Sequence, residues 1–203
     1  MPAETTRRRG AALEADLLDA VWEELSAVGY AKLTMEGVAA RARTGKQVLY
    51  RRWSNRAELV VAALRHRHGS IGDRVPDTGS LREDVLAVLR MMAERQRHVG
   101  QDVIHGVLAE VGDQRFEIVG IMRSVMTTLL QRAAERGEIP TADISPRIMN
   151  LPADLVRHEV LLSTEPVTDG MLVEIVDDVF LPLVTRQPDT PKARTLGGDG
   201  AGL

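Results

Sequence analysis

The chain has 203 residues, with 26 Lys and Arg against 29 Asp and Glu and a formal net charge of -3, a size that suits one or two domains able to bury a core. With 44% hydrophobic and 27% charged residues it has an ordinary globular composition, which excludes a wholly disordered or fibrous chain. The absence of cysteine excludes disulfides, thiolate metal sites, iron–sulfur clusters and a cysteine nucleophile.

The first ten residues are polar and basic, and no apolar run reaches the length of a membrane span. A soluble, cytoplasmic protein with no membrane partner is expected. Residues 1–10 read as a basic arm around Arg7, Arg8 and Arg9. Ala11 to Val28 then places Leu13, Leu17, Val21, Leu25 and Val28 on one face of an amphipathic helix that Gly29 ends in a left-handed cap. Thr34 offers an N-cap for a short helix from Met35 to Ala42, and a third runs from about Gly45 to Trp53. That third helix turns Val48, Leu49 and Trp53 inward and leaves Lys46, Gln47, Tyr50, Arg51 and Arg52 outside. Asn55 with Glu58 three residues on opens a fourth helix to about His68.

Gly69 to Gly79 is a loop by its glycines and proline. Ser80 and Glu83 form a capping box ahead of a helix with Leu81, Val85, Leu89 and Met92 on one face. Further helices are predicted over Gln101 to Val111, Phe116 to Arg136, Ser145 towards Ser163 and Thr168 to Val184. Pro152 predicts a kink in the eighth or a later start for it. The ninth has the most regular apolar stripe in the chain: Leu172, Ile175, Val176, Val179, Phe180 and Leu183. Residues 185–203 lose periodicity and are expected as a disordered tail. No alternating strand pattern occurs, so the fold class is all-α with about nine helices.

Charge is unevenly spread: ten bases face seven acids up to Arg56, and sixteen face twenty-two beyond it. From Gly29 to Arg56 the only acid is Glu36, an electrostatic footprint that suits a nucleic acid. The second and third helices, separated by Arg43 and Thr44, have the spacing of a helix-turn-helix, whose second helix enters the major groove while flanking bases and hydroxyls hold phosphates.

The run from Leu33 to Ala42, followed by Gly45 to Val60, closely resembles the TetR family of bacterial transcriptional regulators. The likeness is specific over about Leu13 to Leu64 and rests on helix count and length elsewhere. It implies an N-terminal three-helix DNA-binding domain over 11–54 and a helical ligand-binding and dimerisation domain over 55–184. It also makes Thr34 and Tyr50 phosphate contacts, places Gly45, Lys46 and Gln47 at the groove-facing start of the recognition helix, sets Arg56 against the DNA backbone and puts Trp53 in the core. Lys46 and Gln47 suit base reading, since Lys donates to guanine and Gln pairs with adenine. Thr44 and Arg51 complete the candidate DNA face. The chain departs from the family at Arg43, which stands where glycine is usual; a left-handed backbone there costs about 1 kcal/mol. A phosphate contact would explain its presence, and a solvated turn residue is the alternative.

No histidine or carboxylate cluster has metal-ligand spacing, and no phosphate loop or nucleophile elbow occurs, so no metal, cofactor or enzyme activity is expected. Met92, Met122, Met126 and Phe116, with the polar Gln96 and His158, are candidates for an adaptable ligand pocket, with core filling as the alternative for the methionines. Leu155 and Val156 with Leu172, Ile175, Val176, Val179, Phe180 and Leu183 either pack within one chain or form the four-helix homodimer interface that the resemblance implies. The expected function is a ligand-responsive repressor whose homodimer binds an inverted repeat in double-stranded DNA and is released by a small-molecule effector. An activator or a non-specific DNA binder of the same fold is the first rival, a small helical enzyme the rival from another class, and a structural dimer whose DNA-binding face has decayed, with Arg43 as the one hint, the third.

Overall fold

The computed structural model describes residues 3–110, 114–163 and 165–186, with side chains over 10–110, 120–163 and 165–186. All regular structure among the described residues is helical, so the all-α reading holds. The order is α1 (Ala3–Val28), α2 (Met35–Arg41), α3 (Lys46–Tyr50), α4 (Arg56–His68), α5 (Leu81–Val99), α6 (Gln101–Glu110), α7 (Gln114–Glu135) and α8 (Pro146–Leu162). A last helix combines α9 (Asp169–Glu174), a π-helical turn (Ile175–Phe180) and α10 (Leu181–Thr185).

Short-range polar chemistry starts many of these helices. The Thr34 and Thr168 side chains accept from Gly37 N–H and Met171 N–H, each satisfying an amide that has no partner inside its helix. Asn55 accepts from Glu58 N–H, while the Glu58 carboxylate reaches back one residue further than a capping box requires, to Ser54 N–H at 2.7 Å. The expected capping box at Ser80 does not form. In its place Leu81 N–H donates to Glu138 at 2.7 Å, and the fully buried Asp84 accepts from the Thr78 amide and hydroxyl at 2.7 and 2.8 Å. A carboxylate 57 positions away caps α5, and no local pattern could reveal it.

Two apolar cores divide the chain. The first gathers Leu17, Val21 and Leu25 of α1, Val38 of α2, Leu49 of α3, Trp53, and Leu59 and Val60 of α4; Val103 and Val107 of α6 close it. Leu13, expected on the same face, is exposed. The second gathers Val85 and Leu89 of α5, Val125 and Leu129 of α7, Met149 and Val156 of α8, and Leu172, Val176 and Phe180 of the last helix. The packing therefore joins α4 to the first core, past the boundary at residue 54 that the sequence suggested. Residues 3–10 continue α1 as helix rather than forming an arm ahead of it, and the side chains of Arg7, Arg8 and Arg9 lie outside the described residues. At the other end Thr185 is helical, while residues 187–203 of the expected tail lie outside the description. Pro152 sits inside α8 without ending it.

The last helix corrects the expected interface. Val156, Leu172, Ile175, Val176 and Phe180 are buried within the single chain, where they form its core. Leu155 and Val179 remain half-buried, and Leu183 is exposed. The π turn explains the change of register. Leu181 N–H returns to Val176 O, five residues back, which widens the turn just before Pro182, a residue with no N–H to donate. Buried positions then fall at Leu172, Val176, Phe180 and Val184, in steps of four, and Val184 takes the inward place expected for Leu183.

Candidate nucleic-acid interface and adjoining cavity

α2 and α3 present one polar surface. Thr34 is exposed, and its hydroxyl oxygen accepts from Gly37 N–H at 3.0 Å, which leaves the O–H free to donate outward. Gly45, Lys46, Gln47, Tyr50 and Arg51 are all exposed. Gln47, Tyr50 and Arg51 border one shallow recess with Val48, while Leu49 and Trp53 fix the opposite side in the core. Lys46 Nζ lies 3.3 Å from Glu36. The backbone amide of Glu36 and then Lys46 hold that carboxyl below the usual range. Both partners are exposed, so the lysine can exchange this bond for another at little cost. Arg41 instead is tied to Glu24 at 2.6 Å, anchoring α2 on α1.

The turn between α2 and α3 has an unusual occupant. Arg43 N–H donates to Ala40 O and Thr44 N–H to Ala39 O, at 3.1 and 2.9 Å, the paired bonds of a Schellman cap. The same pair ends α7, where Gly137 has φ 76°. At α2 the residue with positive φ is Arg43, at 52°. Its exposed side chain has no ion-pair partner among the described residues. Thr44 is half-buried and its amide completes the cap.

Arg56, expected against the DNA backbone, has partners within the chain. Its Nε and Nη2 hold Glu110 at 2.9 and 2.5 Å, and its Nη1 donates to the Tyr30 and Leu33 carbonyls at 3.2 and 2.8 Å. The guanidinium also lies 4.8 Å from the centre of the Tyr30 ring. These partners engage its donor fork, so Arg56 fastens the end of α6 to the first core. The hydrogen bond from Arg56 is the main reason the Glu110 carboxyl is held below its ordinary value, and burial first, then Glu110, pushes the Tyr30 phenol up to about 12. Gly106 rests on the same ring: a Cβ there would sit 2.1 Å from Tyr30 Cδ1.

A cavity of about 290 Å³ opens between this domain and the second core. α4 contributes Leu64, Arg65 and His68; α5 contributes Met92, Arg95 and Gln96. The remaining wall is mainly α6, through Val103, Ile104, Val107 and Leu108, with Ile121 of α7 and Val156, Arg157 and Val160 of α8. Of the expected ligand residues, Met92 and Gln96 line the cavity. Met122 and Met126 do not: both are buried in the second core, because each residue advances about 100° around a helix and it is Ile121 that faces the cavity. His158 is exposed and its neighbour Arg157 lines the cavity instead. Phe116 lies on α7, but its side chain falls outside the described residues. Arg95, His68 and the Arg56–Glu110 link were not found in the sequence, since no local pattern reports which faces of five helices converge. Among the described residues no group of three or more His, Cys, Asp or Glu could hold a metal ion, and no helix is long and apolar enough to cross a membrane.

Comparison with known proteins agrees with this division. Residues 17–63 match the family described as bacterial regulatory proteins, tetR family, and residues 75–179 match the tetracyclin repressor-like C-terminal domain. An uncharacterized HTH-type transcriptional regulator of Mycobacterium bovis, Mb1581, is 34% identical over 85% of this chain and 88% of its own. The DNA-binding transcriptional repressor TetR of Mycobacteroides abscessus is 31% identical over 87% of this chain and 96% of its own. Among solved structures, the TetR family transcription regulator SCO0332 superimposes with a TM-score of 0.60 and 26% identity, covering 87% of this chain and 99% of that one.

Proposed function

The chain belongs to the tetR family of bacterial regulatory proteins and is a DNA-binding transcriptional regulator rather than an enzyme, and on that premise we propose that it is a ligand-released repressor. Two copies bind an inverted repeat, each placing Lys46 and Gln47 against base edges. Thr34, Tyr50, Arg43 and Arg51 hold phosphates around them. The observation that carries the reading is the double duty of α6: Ile104 and Leu108 line the cavity, while Gly106 and Glu110 of the same helix rest on Tyr30 and Arg56 in the DNA-facing domain. A ligand that favours one position of α6 therefore favours one position of the recognition helices. It acts only through its different affinity for the two states.

Dimerisation in this reading uses the outer face of α8 and the last helix. Leu162 is 72% exposed, Leu161 43% and Leu183 40%, and half-buried Leu155 and Val179 lie on the same two helices. Affinity selection of sheared DNA from the source genome, at near-physiological salt and with sequencing of the bound fragments, tests the proposal. The expected result is enrichment of one inverted repeat. Even recovery of all fragments would replace it with sequence-indifferent binding.

A further inference from the structure

Resting on the reading of the cavity as an effector site, we propose that its ligand is a small amphiphilic anion: an aliphatic body with one carboxylate-type head and a hydroxyl or amide N–H along the body. The walls supply the apolar part. Leu64, Ile71, Val99, Ile104, Ile121 and Val160 surround the space, and none of these side chains can hydrogen-bond. Its volume of about 290 Å³ lies at the small end of ligand sites, about 300–1,000 Å³. A chain of roughly eight carbons suits it better than a large planar molecule.

Among the described residues the lining carries the bases Arg65, Arg95, Arg157 and His68, the neutral polar Ser70 and Gln96, and no carboxylate. Arg157 is paired with Asp154, whereas no carboxylate among the described residues forms an ion pair with Arg95. Its Nη2 donates to the His68 and Gly69 carbonyls at 3.0 Å each, neutral partners that orient the guanidinium without cancelling its charge. Burial lowers its pKa, with only Asp73 acting in the other direction, and Asp73 itself accepts from Ser70 N–H at 2.5 Å. His68 senses the same field. Burial, then His98, Arg95 and Arg67, hold it below its ordinary value, opposed by Glu94. A cationic site in an apolar wall costs desolvation that an anion entering it recovers.

Gln96 adds the second requirement. Its Oε1 is buried without a hydrogen-bond donor among the described residues, next in sequence to Arg95 and on the same cavity wall. An anionic head cannot satisfy an acceptor, so the donor must come from elsewhere on the ligand.

Full-length protein is titrated with octanoate, its 2- and 3-hydroxy derivatives, 1-octanol and octylammonium, reading binding by calorimetry and DNA release by fluorescence anisotropy. Octanoate is expected to bind at least tenfold more tightly than octanol or octylammonium, and one hydroxy acid about two- to tenfold more tightly than octanoate, the gain of one hydrogen bond. Arg95→Gln should abolish the preference for the anion, and Gln96→Leu the preference for the hydroxyl while leaving octanoate bound; unchanged circular dichroism shows that each variant is folded. Equal binding of all three head groups, tighter binding of octanol or octylammonium, or no binding by any probe overturns the anion assignment. Anion binding without DNA release upholds that assignment and overturns the ligand-released repressor instead.

Discussion

At Arg43 a side chain occupies the left-handed place that Gly137 fills at the end of α7, with the same two cap bonds in both turns. Local backbone cost and a surviving charge point to opposite effects of one substitution. Arg43→Gly is expected to raise unfolding free energy by about 1 kcal/mol in urea titrations, and to reduce the salt dependence of DNA binding by about one phosphate contact. An unchanged salt slope would make Arg43 a solvated turn residue. His68 supports a second prediction. Its folded pKa is depressed below 6.5, by burial first and by neighbouring cations second, so between the folded and unfolded values the unfolded chain binds more protons. The contribution to stability is complete above the unfolded pKa and is lost as pH falls through the folded one. Thermal melts at about pH 7.5 and about pH 5.5 should therefore show a larger acid loss for the wild type than for His68→Gln.

Among the elements, the last helix shows how one widened turn redirects a face. A uniform α-helix would carry Leu183 in the stripe with Phe180, and the sequence pattern alone suggests that. Pro182 and the π turn place Val184 inside at 1% exposure and Leu183 outside at 40%. Val184→Ala should lower unfolding free energy by about 1–3 kcal/mol. Leu183→Ser, by contrast, should leave helical content at the wild-type level in far-UV circular dichroism, since it removes nothing from the protomer core. Helix starts at Met35, Arg56 and Asp169 were legible because each depends on a Thr or Asn immediately before it. The start of α5 at Leu81 was legible from Ser80 as well, but the group that caps it was not, because Glu138 supplies the cap from the turn after α7.

Across the whole molecule, α6 is the part both cores share: Val103 and Val107 close the first core, while Ile104 lies against the second. Gly106→Ala would drive a methyl group into the Tyr30 ring, a form of overpacking that costs about 1–3 kcal/mol. The expected outcome is a lower melting temperature and a DNA affinity that no longer responds to bound ligand. Both follow from separating α6 from the DNA-facing domain, and an anisotropy titration with and without octanoate checks the second. On the outer surface, Leu162→Asp should shift the protein from dimer to monomer in sedimentation velocity and weaken DNA binding with it. A charge is compatible with the 72% exposed position in the protomer but not with burial between two copies.

Local order sufficed for the helical class, most helix ends, the exposed polar face of α3 and the family likeness of the N-terminal third. Those features depend on residues a few positions apart: apolar spacing around one helix, caps beside the first turn, and bases clustered in one short stretch. Convergence depends on residues far apart in the chain, and there tertiary structure decided. It turned Arg56 inward onto Glu110, 54 positions away, and closed Val156, Leu172, Val176 and Phe180 into one protomer. It also brought Arg95 and Gln96 of α5 to a cavity shared with His68 and Arg157. Periodicity reports that a helix has a face to bury; which partner buries it is set by the competition among all the apolar faces of the folded chain.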